Sequence, residues 1–400
     1  AVLARSPSGA QRRAMGNKRH WLTPCGGYID ARGREELCRY KYSGNDYSLY
    51  YNYVVAPLAE QLMQRFYPHW LAPNTITVTG LVLVVVAHLA MCWYCPLLQG
   101  EAPSWVYGLS AVTLAAYQLL DASDGKQARR TNSGSPLGVL LDHGCDAVNI
   151  VISGMTMAAT LQMGNTWKSL YLVGISATVF FCATIEEYYV GSLDLPGPIN
   201  GPNEGLLIMY SIHAHAALCG PGFWAEESTL IPGLKNNTIF LLATTACCST
   251  TIVMANVRNL LRLLGAGFAG ACRKASPYFA AVALTLAWIR LDPANFAQNP
   301  RSVLWAYGLV YSICNTRTLL AHICKSRLQL WDWPLVPLLA VVCRSAFPEA
   351  MPWLGATEAS YCAAAAIAWM YGHMAVSIVL EMRAALGIRV FRLDPGSKSQ

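Results

Sequence analysis

Ten apolar blocks follow one another along the chain, at about residues 75–96, 104–121, 142–163, 168–186, 205–224, 238–260, 275–291, 302–321, 330–347 and 359–382, with no soluble domain inserted between them. Most reach the ~20 residues that a helix needs to cross a bilayer, and the shorter ones are bracketed by Trp or charge. Charged side chains make up 13% of the 400 residues, against roughly 25% in an ordinary soluble domain. The AVILMFWYC set supplies 54%, and the mean hydropathy is +0.33. A water-soluble globule of this composition would leave much apolar surface exposed, and a disordered chain is excluded. The expected fold is all-α, a polytopic integral membrane protein of about ten transmembrane helices.

Basic residues give the orientation. Ten precede the first span, three follow the second (Lys126, Arg129, Arg130), four lie between the sixth and seventh, three between the eighth and ninth, and four in the C-terminal tail. With an even number of spans this places 24 of the 29 Lys and Arg on one side, which the positive-inside rule makes the cytosol, together with both termini. The same distribution explains the net charge of +7 without nucleic acid. Residues 1–34 read as a basic, disordered tail, 35–70 as interfacial amphipathic helices, 71–225 as a catalytic core of spans one to five, 226–385 as a C-terminal bundle of spans six to ten, and 386–400 as a tail. The fourteen cysteines do not make a disulfide scaffold, because pairs such as Cys247 and Cys248 lie inside apolar runs. Cys92 and Cys95 form a C-x-x-C with no second pair at metal spacing.

Among so few charges, four aspartates crowd into the cytosolic ends of the second and third spans. Asp121 and Asp124 are three residues apart, and Asp142 and Asp146 four apart, so each pair projects from one face of its helix. The loop between them is rich in Gly, Ser, Asn and Pro and turns the chain so that the pairs face each other. Four carboxylates in one low-dielectric pocket call for a counter-charge, and all-oxygen ligation points to Mg²⁺ or Mn²⁺. Gly125 and Gly138 leave room for a bulky ligand beside the helix backbones, Ala128 continues that small-residue lane, and Arg129 offers its fork of donors to a phosphate.

The pattern D-x-x-D-G-x-x-A-R-x(8)-G-x-x-x-D-x-x-x-D is filled by Asp121, Asp124, Gly125, Ala128, Arg129, Gly138, Asp142 and Asp146. It resembles the signature of the CDP-alcohol phosphotransferases, membrane enzymes of phospholipid synthesis. Further stretches are similar to the eukaryotic choline/ethanolamine phosphotransferase branch: Tyr42-Ser43-Gly44, Leu71-Ala72-Pro73-Asn74-Thr75-Ile76-Thr77, Asp142-His143-Gly144-Cys145-Asp146, Glu186-Glu187-Tyr188 and Asn200-Gly201-Pro202-Asn203-Glu204-Gly205. Two positions depart from that branch, Val139 where it carries Glu and Asn203 where it carries Val.

The resemblance implies that CDP-choline or CDP-ethanolamine donates its phospho-alcohol to diacylglycerol and that CMP leaves. Two divalent ions would sit on Asp121, Asp124 and Asp142, with Asp146 shared or nearby, and Arg129 or Lys126 on phosphate. His143 is the preferred general base and Asp146 its competitor, since neighbours on a helix diverge by about 100° and His143 and Asp142 cannot point the same way. Asn74, Gly125, Lys126, Ala128, Arg129, Gly138, Glu187 and Glu204 stand as substrate-side residues. Glu186, Glu187 and Glu204 would hold the alcohol's cationic head, aided by Tyr188 and Tyr189, or else fix the loop after the fourth span. His213 and His215, two apart, read as packing residues. The resemblance further implies a homodimer in the endoplasmic reticulum or Golgi. The alternatives are another acceptor alcohol, or a cation transporter built on the acidic cluster.

Overall fold

The computed structural model describes residues 27–195, 201–250, 256–328 and 333–393. Every apolar block coincides with a helix: α3 (Pro73–Tyr94), α4 (Ser104–Arg130), α5 (Pro136–Thr160), α6 (Trp167–Val190), α7 (Pro202–Cys219), α8 (Asn236–Thr250), α10 (Phe268–Leu291), α12 (Pro300–Ile323), α13 (Leu335–Ala346) and α14 (Ala356–Leu386). Among the described residues four of these, α3, α5, α6 and α14, are long and apolar enough to cross a membrane by length and composition alone. The others are shorter or diluted by polar residues, as in α4, whose final turns carry the aspartates and Lys126, Arg129 and Arg130. Local signals set the ends. Ser135 caps α5 by accepting from the Gly138 amide at 3.1 Å with Pro136 in the first turn, and Gly191 closes α6 with a φ of 92°.

Helix α12 is buried on nearly every side and packs against α5, α6, α10 and α14, so it forms the axis of the bundle. Towards the N-terminal part of the bundle, α4 is gripped between α3 and α7.

The elements before α3 are more ordered than an interfacial tail requires. A short helix, α1 (Ala31–Arg39), starts inside the stretch expected to be tail, capped by Asp30. Just before it, the amides of Tyr28 and Ile29 donate to the Glu381 carboxylate on α14 at 2.9–3.1 Å, and Ile29 is buried. Beyond α1 runs a strap: β1 (Gly44–Asp46) pairs in parallel with β2 (Leu193–Leu195), joining the N-terminal arm to the segment after α6. Gly44 is required there, because a Cβ would meet the Leu193 carbonyl at 2.6 Å. The strap leads through one π turn into α2 (Ala56–Phe66), which packs on α4. Two further short helices, α9 (Arg258–Leu264) and α11 (Pro293–Gln298), complete the set. Past α14 the chain turns back, and the Val390 carbonyl accepts from the Asn74 amide at 2.8 Å.

Candidate active site

The turn between α4 and α5 brings the two aspartate pairs together at one end of the bundle. Carboxylate oxygens of Asp121, Asp142 and Asp146 lie within 4.8 Å of one another, and among the described residues this is the one cluster of metal-binding geometry. Oδ1 of Asp121 and Oδ1 of Asp142 are both buried without a hydrogen-bond partner. Buried acceptors are satisfied in native proteins, so two orphaned anionic oxygens converging on one point call for a cation. The residues therefore fit a divalent ion, and a set made only of carboxylates suits Mg²⁺ or Mn²⁺.

Asp146 and Asp124 are oriented by neighbours that the pattern does not contain. Tyr117, one turn before Asp121, donates its hydroxyl to Asp146 Oδ1 at 2.6 Å, and Thr77 on α3 donates to Asp124 Oδ2. Asp124 thus stands beside the three-carboxylate cluster with one oxygen already engaged. Thr77 lies inside the Leu71–Thr77 stretch of the sequence, but its role depends on how α3 crosses α4. The two signature glycines differ. A methyl group placed on Gly125 would meet nothing within 4 Å except Arg129 Nη1 at 3.7 Å, which leaves open space for a ligand. At Gly138 it would meet Asn74 Oδ1 at 3.4 Å and Ser135 Oγ at 3.6 Å, ordinary contacts that place α5 beside the start of α3. Asn74, with its amide on Val390 and its oxygen against Gly138, is engaged in packing these elements.

Next to the aspartates, Lys126, Arg129 and Arg130 line a cavity of about 460 Å³ with Glu60, Met63 and Gln64 of α2. Lys126 pairs with Glu60 at 3.4 Å. Arg130 donates to the carbonyls of Met63 and Tyr67, and Gln127 to those of Pro68 and Leu71, so the last turns of α4 fasten α2 and its following loop to the site. Arg129 keeps its guanidinium on this anion-attracting wall.

A sequence model of the CDP-alcohol phosphatidyltransferase family matches residues 70–227, the segment that holds all of these groups. Choline/ethanolaminephosphotransferase 1 of Arabidopsis thaliana is 32% identical over 394 residues, covering 92% of this chain and 98% of that protein. The chain belongs to the CDP-alcohol phosphatidyltransferase family. Cholinephosphotransferase 1 of Xenopus laevis is 33% identical over 321 residues, 76% of each chain, and an uncharacterised class-I family protein of Dictyostelium discoideum, number 3, is 32% identical over 346 residues, 76% of this chain and 82% of that one. The protein is thus an integral membrane transferase of the CDP-alcohol class.

In this CDP-alcohol phosphatidyltransferase His143 makes its ring contacts with aromatic residues. Its ring is buried between Tyr42 of the strap (centroids 6.3 Å apart, nearly perpendicular) and Phe180 of α6. Tyr42 is half exposed, and partial desolvation with the Glu187 and Asp142 carboxylates nearby holds its phenol above the usual range, so it stays a neutral donor. On the same side Glu187 is 1% exposed with neither oxygen hydrogen-bonded, and His322 Nε2 stands 3.9 Å from it.

The remaining expected residues have structural partners. Glu186 accepts from Asn256 at 2.7 Å and from Asn259 at 2.8 Å. Glu204 accepts from Ser48 Oγ at 2.5 Å and from the Gly201 amide at 3.3 Å, closing the start of α7. Lys274 Nζ lies over the rings of Tyr188 and Tyr189, 5.0 and 5.4 Å from their centroids, so an internal cation already occupies the cation–π position there. His213 is buried with Nδ1 at 2.9 Å from Thr160, and His215 lies against Phe223 and Trp224, so both pack as expected. Asn203, one of the two departures from the branch pattern, bridges the strap to α4: it donates to Asp46 Oδ2 at 2.7 Å and accepts from Gln118 at 3.0 Å.

Proposed function

We propose that this protein transfers phosphocholine or phosphoethanolamine from the CDP-alcohol to the free hydroxyl of diacylglycerol, releasing CMP. The acceptor oxygen bonds to the phosphorus that bears the alcohol, the bond from that phosphorus to CMP breaks, and the hydroxyl proton passes to a base. The observation that carries the reading is the convergence of Asp121, Asp142 and Asp146 within 4.8 Å, two of their oxygens orphaned, beside the Lys126–Arg129–Arg130 wall. Asp121, Asp142 and Asp146, with Asp124 adjoining, would hold Mg²⁺ or Mn²⁺, two ions in the usual arrangement, and such ions neutralise a pyrophosphate and withdraw charge from its leaving group. Arg129 binds phosphate, and the space at Gly125 lets the donor lie against α4. His143 takes the acceptor proton; Asp146, which already accepts from Tyr117, is the competing base. Glu187, the buried carboxylate without hydrogen bonds, is the group that fits the cationic head of the alcohol. The basic-residue asymmetry supports a cytosolic site with both termini on the same side, and the family supports a homodimer in the endoplasmic reticulum or Golgi.

The test is CMP release by purified full-length protein from labelled CDP-choline and CDP-ethanolamine, side by side, with and without a chelator. Turnover of either donor that stops with chelator is the expected result. Absence of turnover of both in a folded, diacylglycerol-supplied preparation contradicts the reading. For the base, His143→Ala should lower turnover by about 10²-fold or more while donor binding persists; turnover within a few-fold of normal removes His143 from that role.

A further inference from the structure

A second cavity, of about 580 Å³, lies at the end of the bundle opposite the aspartates, where α3 finishes and α12 and α14 begin. The 22 residues of α3 separate the two ends by about 33 Å. Its walls are apolar: Trp305 and Leu309 of α12 and Ala365, Ala368 and Tyr371 of α14. Ala365 and Ala368 are exposed on the outer face, so the groove opens toward lipid, and the alanines leave it deep.

At its head sits one cation. Arg301 donates through Nη2 to the Cys95 carbonyl at 2.6 Å and through Nε to that of Pro96 at 3.0 Å, which satisfies the end of α3. Its third nitrogen, Nη1, is buried beside the Cys92 thiol, and none of the described residues lining the cavity is acidic. Capping α3 accounts for two of the nitrogens. It does not account for a guanidinium without a counter-ion at the mouth of an apolar groove. A group that satisfies both features has a phosphate for the guanidinium and a hydrocarbon chain for the groove.

We propose that this groove is a binding site for one glycerophospholipid of net negative charge, its phosphate against the Arg301 guanidinium and an acyl chain between α12 and α14. The site is too far from the aspartates for its occupant to be the lipid that reacts. Guanidinium groups recognise phosphate through charge-assisted hydrogen bonds, and the cavity lies within the size range of small-ligand sites.

Native mass spectrometry of the full-length protein, released from micelles holding equal phosphatidylglycerol and phosphatidylcholine, tests this. One phosphatidylglycerol should be retained per chain, preferred over phosphatidylcholine by about fivefold, the value of one basic contact. Arg301→Gln, which keeps donors for the α3 carbonyls, should abolish the preference, and Arg301→Lys should keep it. Ala368→Phe, at an exposed position, should reduce retention of both lipids by filling the groove. Turnover of the CDP-alcohol should be unchanged in all three variants. Equal retention of the two lipids by the wild type overturns the proposal. So does a preference that survives Arg301→Gln, retention unaffected by Ala368→Phe, or loss of the preference in Arg301→Lys and Arg301→Gln alike.

Discussion

Asp124 owes its direction to a residue on another helix. The hydroxyl of Thr77 reaches it from α3, and both groups are buried. Losing a hydrogen bond to a buried carboxylate costs about 1.5–3 kcal/mol, so Thr77→Val should lower turnover by about 10- to 100-fold, with Thr77→Ser restoring most of it. A Thr77→Val enzyme with normal turnover would show that Asp124 needs no such support. Asp121 and Asp142, whose oxygens face each other without protein donors, should tolerate change least: Asp121→Asn or Asp142→Asn should abolish turnover in a protein that still folds. The three- and four-residue spacing of the aspartates is legible in the sequence because helical periodicity is local. The partners Thr77 and Tyr117 are less so, since a helix crossing selects the one and a rotamer the other. For the same reason Tyr188 and Tyr189 read as a ligand cage, when the cation over them comes from Lys274, 85 and more residues away in sequence.

The strap is the element that the sequence conceals most fully. Its two strands are three residues each and lie about 150 positions apart, with no alternating apolar pattern to announce them. Yet it brings Tyr42 to His143, and Asn203 and Glu204 hold it through Asp46 and Ser48. Asn203→Val, which restores the branch residue, should loosen this link and raise the donor KM several-fold with kcat little changed; steady-state kinetics with varied donor reads it, and an unchanged KM removes Asn203 from the strap's support. At the other end of the arm, Lys325, by hydrogen bond and charge, and Arg39 hold the Glu36 carboxyl below its usual range. A depressed carboxyl stabilises above its unfolded pKa and loses that contribution as pH falls through the folded value. Any excess in melting temperature of the wild type over Glu36→Gln should therefore be full at neutral pH, begin to fall near the usual Glu value of about 4.3 and vanish in stronger acid. An excess that persists in acid would contradict the pairing.

For the molecule as a whole, the ten apolar blocks give ten helices, four of which, among the described residues, are long and apolar enough to cross a membrane. What they do not give is the order of packing: α12, no more apolar than its neighbours by eye, is the buried axis because it has helices on every side. A metal site shared by two helices of such a bundle should stabilise the fold when filled, by about 2.7 kcal/mol at a hundredfold excess over Kd. Mg²⁺ or Mn²⁺ should accordingly raise the melting temperature of wild-type protein in detergent, and should not raise that of Asp121→Asn/Asp142→Asn. An equal rise in both would place the stabilising ion elsewhere.

The central claim is that the facing aspartates of α4 and α5 serve phosphotransfer from a CDP-alcohol to diacylglycerol. Its most direct measurement is CMP formation from labelled CDP-choline and CDP-ethanolamine by purified wild type and Asp121→Asn/Asp142→Asn, with metal and with chelator. The account predicts diacylglycerol-dependent CMP and phospholipid from the wild type with metal only, and none from the variant. Equal CMP formation by wild type and variant, or none from folded wild type with metal and both substrates, would contradict it.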